Sequence, residues 1–371
     1  MKEKVIVAMS GGIDSCVAAA LLAKQGYECV GIHLRFWMDP VSNGVDGKTL
    51  PQNKCCTIDS LEDARWACQK LGIPFYVMDV AKPFKQKVVD YFLDEYACGK
   101  TPNPCVECNR SIKFGKLLKR AAELGADYVA TGHYARISKD KTGGFALSAA
   151  RDKVKDQSYF LYHLGQKQLA KVLFPLGNLL KSQVYELAGE FGLKRIVERK
   201  ESQGLCFFAE NTPKYFLQRH LPAGLFKNGP IVTVSGKEIG IHKGLPLYTV
   251  GQRQGLGIGG VAGEKEGEGW YVVSMDGKAN KLVVGRKNDI LFKSLVCSKL
   301  SFVDGAAPKD AMNVRVRIRH RGRLVPAKLV VKNGKAFVES KSGFTAASKG
   351  QSAVFYQRQK VLGGGIMKSA L

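Results

Sequence analysis

The apolar residues of this chain change their rhythm partway along it. Through the first 200 or so residues, short unbroken apolar runs alternate with longer segments of helical spacing. Lys4-Val5-Ile6-Val7-Ala8-Met9 reads as a buried strand, and Cys16-Val17-Ala18-Ala19-Ala20-Leu21-Leu22 as the helix after it. Tyr27 to Leu34 reads as a second strand, Ser60 to Leu71 as a helix with acids early and Lys70 late, and Pro74 to Val80 as a third strand. Phe84 to Tyr96 and Ile112 to Leu124 have helical spacing, and Tyr128-Val129-Ala130-Thr131 is a further strand. This alternation predicts an α/β fold, an N-terminal doubly wound parallel sheet with helices on both faces and ligands at the carboxyl ends of its strands. Beyond about Phe208, glycine becomes frequent and short β-branched runs take over, among them Pro230 to Val234, Gly269 to Val273 and Lys281 to Val284. They predict a small β-rich central domain and a C-terminal β-barrel. The boundaries so read are 1–208, 209–284 and 285–371, with Gly363-Gly364-Gly365 as a flexible end.

Charge changes the picture next. Lys and Arg number 57 against 32 Asp and Glu, a net charge of +25, which points to a polyanionic partner, nucleic acid above all. Ser301 to Leu371 alone holds 14 Lys/Arg against 3 Asp/Glu, a net of +11. Arg315, Arg317, Arg319, Arg321 and Arg323 alternate there, and on one continuous strand they would share a face. No apolar run reaches membrane-spanning length, and Met1-Lys2-Glu3-Lys4 leads straight into a core strand without a leader. A cytoplasmic, reducing setting is expected, so the ten cysteines are core fillers, metal ligands or catalysts rather than a disulfide framework.

Two segments carry chemistry. Ser10-Gly11-Gly12-Ile13-Asp14-Ser15 lies between the first strand and the first helix, where glycines let the backbone approach an anion and the helix N-terminus favours it. No GKS or GKT follows, so it is no Walker loop; with its two hydroxyls and its acid it resembles the PP-loop of ATP pyrophosphatases. Thr101-Pro102-Asn103-Pro104-Cys105-Val106-Glu107-Cys108-Asn109-Arg110 reads as an irregular loop, its prolines delaying a helix to near Ser111. Arg110, Lys113 and that helix start favour a thiolate at Cys108. No second CxxC exists to complete a four-cysteine zinc site, which leaves redox, nucleophilic or iron–sulfur roles. Cys206, beside Phe207 and Phe208, gains interest only next to this pair. Cys16, Cys29, Cys68, Cys98 and Cys297 read as packing, and Cys55-Cys56 as structural or positioning residues.

The whole pattern resembles the bacterial tRNA-specific 2-thiouridylases. The likeness rests on the PP-loop, Gly99 to Cys105, Cys108-Asn109, Ile112-Lys113-Phe114-Gly115, Ala130 to Arg136, Lys155-Asp156-Gln157-Ser158-Tyr159-Phe160-Leu161, Ser202 to Phe207, Thr249 to Arg253 and Gly350 to Tyr356. The resemblance implies an adenine nucleotide alpha hydrolase-like first domain that holds ATP through Ala8, Met9, Ser10, Gly11, Gly12, Ile13, Asp14, Ser15, Leu34 and Gly132. Leu34 stands where many relatives carry Met. Cys108 would be the nucleophile and Cys206 the persulfide carrier. Asn103, Pro104 and Cys105 would meet the target base, and Lys155, Asp156, Gln157, Arg319, His320 and Gln351 the tRNA, with His133 close by. From the residues alone, a core histidine is the plainer reading of His133. Asp14 would help hold Mg²⁺. The implied reaction adenylates C2 of the wobble uridine of the anticodon stem-loop and installs sulfur supplied by a donor such as a cysteine desulfurase or sulfur carrier. Some relatives carry Asp in place of Cys105, so Cys105, Cys108 and Cys206 could instead ligate a [4Fe–4S] cluster; the persulfide route is preferred. The alternatives are another PP-loop tRNA-adenylating enzyme, a tRNA-binding protein with an inactive loop, and a redox sensor built on Cys105 and Cys108.

Overall fold

Val5 and Val7 face one way from the first strand and Ile6 faces the other, and all three are buried. That two-sided burial is what a parallel sheet sheathed by helices requires. The structure is a computed structural model that describes residues 2–39, 57–140, 143–198, 204–208, 210, 212–258 and 269–371. Strands β1 (Lys4–Ala8), β2 (Glu28–Arg35), β3 (Phe75–Asp79) and β4 (Tyr128–Ala130) run parallel in the spatial order 3-2-1-4. A hairpin, β5 (Ala135–Lys139) and β6 (Phe145–Ala149), then leaves the sheet, and β7 (Val172–Leu173) completes it beside β4. Val5 and Val7 pack with α1 (Ile13–Lys24) and α2 (Ile58–Lys70) on one face. Ile6 and Val129 pack on the other with Phe92, Ile112, Leu117 and Phe216. The chain winds one way through β1, β2 and β3 and resumes on the opposite side at β4. The switch point between β1 and β4 therefore opens a crevice at their carboxyl ends.

The central unit is a four-stranded sheet of β8 (Gly229–Thr233), β9 (Glu238–His242), β10 (Tyr271–Asp276) and β11 (Lys281–Gly285) in the order 10-11-8-9. It has its own core around Ile231, Val272, Leu282 and Val284. The last unit is a barrel of β12 (Leu291–Phe302), β13 (Met312–Arg317), β14 (Val325–Lys332), β15 (Lys335–Thr345), β16 (Ser352–Gln357) and β17 (Lys360–Ala370). Its order is 12-15-14-13-16-17, closed by antiparallel pairing of β12 with β17. The hairpin from the first unit continues this sheet, Ser148 of β6 pairing with Lys360 of β17. Val106, Phe114, Tyr159 and Leu161 share a core with Val354, Tyr356 and Val361, so the barrel is packed onto the first unit rather than tethered to it.

Four local expectations are corrected. Gly363-Gly364-Gly365 is no flexible end: it lies inside β17, where a Cβ on Gly363 would come within 2.2 Å of Ser301 O and one on Gly364 within 2.7 Å of Ala353 O. Glycine is there because two strands approach too closely for any side chain. The five arginines do not share a strand: β13 ends at Arg317, and Arg319 to Gly322 turn, with Arg321 at φ +59°. Cys98 is exposed at the end of the helix Asp90–Ala97 instead of buried. The helix expected near Ser111 begins at Pro104 and runs without a break to Glu123, its middle stretch Asn109–Leu117 wound as π-helix. Cys55-Cys56 lies outside the described residues. Among the described residues, no helix is long and apolar enough to cross a membrane.

Candidate active site

The loop after β1 is folded on its own hydroxyls. Ser15 Oγ donates to Gly12 O at 2.9 Å and accepts from Ser10 N at 3.1 Å. Gly11 takes φ +79°, and a Cβ there would sit 2.1 Å from Ser60 O. Gly12 is the N-cap of α1 and offers no side chain to the N–H groups beyond it. Those open N–H groups and the dipole of α1 make the loop an anion cradle. Gly132, two residues beyond the end of β4 and across the switch point, presses against the same loop: a Cβ would meet Asp14 C at 2.7 Å and Ser15 N at 2.8 Å. Leu34 lies buried near the carboxyl end of β2. Ala8, Met9 and Ile13 complete the strand end and first helical turn.

Asp14 is held from below. Tyr134 Oη and Lys181 Nζ both donate to its Oδ1, each at 2.7 Å. The Lys181 side chain is 11% exposed and that of Asp14 is 35% exposed. Lys181 is the first residue of the helix Lys181–Glu190; its N–H donates to Asp152 at 3.0 Å and its ammonium lies over the Tyr185 ring. Sequence reasoning missed this lysine. The one available signal was its position, because a cation at a helix start opposes the dipole and calls for an anion nearby.

Asn103 Oδ1 accepts from Val106 N at 3.3 Å, and Pro104 follows as the first helical residue, so the segment taken for a loop is a capped helix start. It carries half-buried Cys105 and buried Cys108 on its first turns. Glu107 between them pairs with Arg110 at 2.8 Å. Cys108 belongs to the apolar cluster of Leu34, Val80, Phe92 and Phe207, and half-buried Cys206 packs against that same cluster. Phe207 and Phe208 anchor the Cys206 segment through edge-on contacts with Phe92 at 5.2 Å and with each other at 5.3 Å. Both cysteine segments thus border one apolar cluster.

The residues expected to meet RNA divide into two sets. Arg319 is exposed, and His320 lies half-buried against the Phe160 ring at 4.5 Å. Burial, with Arg321 and Arg317 nearby, holds the His320 pKa below its usual value. Asp156 faces inward, accepting from Ala150 N and Ser158 N at 3.1 Å and from Arg317 of the barrel at 2.8 Å. Gln157 brackets the backbone of Tyr134, its Oε1 accepting from Tyr134 N at 3.0 Å. The N–H of half-buried Lys155 donates to Asp152. Gln351 donates to Pro102 O at 3.1 Å, tying the barrel to the turn before the Asn103 cap. His133 is sealed between Phe114 and Phe174 with Nδ1 on Thr131 Oγ1 at 2.7 Å; burial, then Lys113 and His163, push its pKa well down.

The chain matches three family models in succession: a tRNA methyl transferase HUP domain over residues 3–210, a tRNA methyl transferase PRC-barrel domain over 214–286 and an aminomethyltransferase beta-barrel domain over 292–367. It is 44% identical over 362 residues to the tRNA-specific 2-thiouridylase MnmA of Chloroflexus aggregans, covering 97% of both chains. Against the protein of that name from Geobacter metallireducens it is 42% identical over 371 residues, 100% of this chain and 98% of the other. The Clostridium perfringens protein of that name is 40% identical over 375 residues, covering 100% and 99%. The domain descriptions speak of methyl transfer and the full-length relatives of thiolation. The relatives match over 97% or more of this chain and weigh more.

Proposed function

The chain belongs to the tRNA-specific 2-thiouridylase family, and from that premise we propose how its residues divide the reaction. It is a sulfurtransferase that acts on tRNA. In our reading the N-terminal 208 residues activate ATP, residues 209–284 form the central domain and 285–371 the tRNA-binding barrel, working in the cytoplasm. Ala8 to Ser15, Leu34 and Gly132 hold ATP. The C2 oxygen of wobble uridine 34 attacks the α-phosphorus, and pyrophosphate leaves with the electron pair of the broken P–O bond. Ser10, Gly11, Gly12 and Ser15 steady that leaving charge through fixed donors. Asp14 Oδ2 has no protein partner among the described residues, and one carboxylate with phosphate oxygens is a donor set Mg²⁺ accepts. When bound there, Mg²⁺ neutralises phosphate charge.

Asn103, Pro104 and Cys105 line the flipped base, which costs little to extrude from an already single-stranded loop. Arg319 and Lys155 meet RNA directly. His133, Asp156, Gln157, His320 and Gln351 set the surface those cations stand on. Sulfur arrives as a persulfide on Cys206, loaded by a desulfurase or carrier protein. Its terminal sulfur, or the sulfide released when Cys108 attacks it, bonds to C2, and AMP departs with the original oxygen. Cys108 attack on Cys206 leaves a Cys108–Cys206 disulfide, which a thiol reductant reopens. Two sulfurs suffice for this route. The persulfide route is therefore preferred to an iron–sulfur cluster on Cys105, Cys108 and Cys206. The observation that supports the reading is that Cys108 belongs to, and sequence-distant Cys206 packs against, the apolar cluster that also holds Leu34. The test is Cys206→Ser with ATP, Mg²⁺, a sulfur donor and an unmodified anticodon stem-loop or full tRNA. We expect tRNA-dependent pyrophosphate release to persist while 2-thiouridine disappears from the mass spectrum. Product at the wild-type rate would overturn the reading.

A further inference from the structure

The arrangement beneath Asp14 asks for more than a structural role. Lys181 is sealed while the carboxylate it holds is about a third open, so the pair is closed on one side and available on the other. A buried ion pair is a poor source of stability, and a lysine at a helix start works against the dipole. The pair is nonetheless built with care. Asp152 fixes the Lys181 backbone at 3.0 Å, Tyr185 lies 5.2 Å from the ammonium, and Tyr134 shares Oδ1 at 2.7 Å. Two donors on one oxygen fix the carboxylate's rotation and leave Oδ2 for an incoming ligand. Groups behind a ligating side chain set its orientation and its charge. Here the group behind is itself a cation, which cancels the charge of the loop's single carboxylate.

We propose that Lys181 and Tyr134 are positioning residues that hold and neutralise Asp14, so that the loop takes a divalent cation only together with the nucleotide. Alone, the cation meets a carboxylate already paired with an ammonium. With ATP, the phosphates restore the negative charge that draws the cation to Oδ2. This rests on the reading of the loop as the ATP site.

The test titrates Mn²⁺ into full-length protein, free Mn²⁺ being followed by electron paramagnetic resonance, with and without ATP, for wild type, Lys181→Met, Lys181→Gln and Tyr134→Phe. ATP binding is measured separately by equilibrium dialysis. Wild type should bind Mn²⁺ alone weakly, and both Lys181 variants should bind it about ten-fold more tightly as the competing charge goes. Tyr134→Phe should keep the weak binding of Mn²⁺ alone, because Lys181 remains, and should take Mn²⁺ with ATP less tightly than wild type. Equal affinity of wild type and both Lys181 variants for Mn²⁺ alone, while wild type binds ATP, would overturn the inference and leave the ATP reading standing. Wild type that takes up no ATP would overturn both.

Discussion

Four of the six histidines are held below the usual imidazole pKa, each chiefly by burial: His33, His133, His163 and His320. His163, beside Arg110, is pushed down to about 3. A histidine whose folded pKa lies below its unfolded value binds its proton more readily in the unfolded chain. Its contribution is therefore intact above the unfolded pKa of about 6.5 and is lost as pH falls from there toward the folded pKa. At pH 5, His163 should remove about 2 kcal/mol of stability, and His133 should act in the same direction. Urea midpoints at pH 7.5 and pH 5 measure this, and His163→Leu should flatten the acid limb. A midpoint that does not move between the two pH values would count against it. Sequence alone offered no such forecast, since a histidine's surroundings come from residues far along the chain.

At the scale of elements, the prolines were the misleading signal. Pro102 and Pro104 look like helix breakers, but proline at the first helical position costs nothing because its missing N–H has no intrahelical partner. Asn103 before Pro104 was a legible cap, and it lets Cys105 and Cys108 ride a rigid helix instead of a loop. Asn103→Ala should cost about 1 kcal/mol of stability and Asn103→Ser should restore it, read from chemical unfolding. A role confined to the base would leave both midpoints unchanged. The arginine alternation misled in the opposite direction. Period two was genuine through Val314 and Val316, which point into the barrel, and then a turn took Arg319 and Arg321 off the strand. Exposed Arg319 should still touch phosphate. Arg319→Ala should reduce the slope of log affinity against log salt for tRNA by about 0.7 to 0.9, and an unchanged slope would remove it from the interface.

For the whole molecule, the parallel sheet, the loop between its first strand and first helix, and the C-terminal β-barrel were legible because local periodicity and short motifs encode them. The seam between the first unit and the barrel was not, because its partners lie in segments that only the fold brings together. Arg317 reaches Asp156 across that seam with side-chain exposures of 14% and 3%. Arg317→Met should leave a buried carboxylate short of its counter-charge and cost roughly 3 kcal/mol, the low end for such pairs, because three other donors remain on Asp156. A denaturant midpoint equal to wild type would refute that. Asp156→Asn in the same background should recover part of the loss.

The closing strand has a consequence for how the protein comes into being. β17 lies downstream of β6, β12 and β16, and it pairs with all three. Until the ribosome has released it, the barrel gapes, the hairpin from the first unit hangs unpaired, and their edges are open to wrong partners. Each nascent chain therefore spends an interval of its synthesis with exposed strands that one later segment must cover, and non-local pairing of this kind is slow. Chaperone dependence of this protein should concentrate in that interval, and it should outlast translation when Gly363 or Gly364 is replaced and the strand can no longer seat.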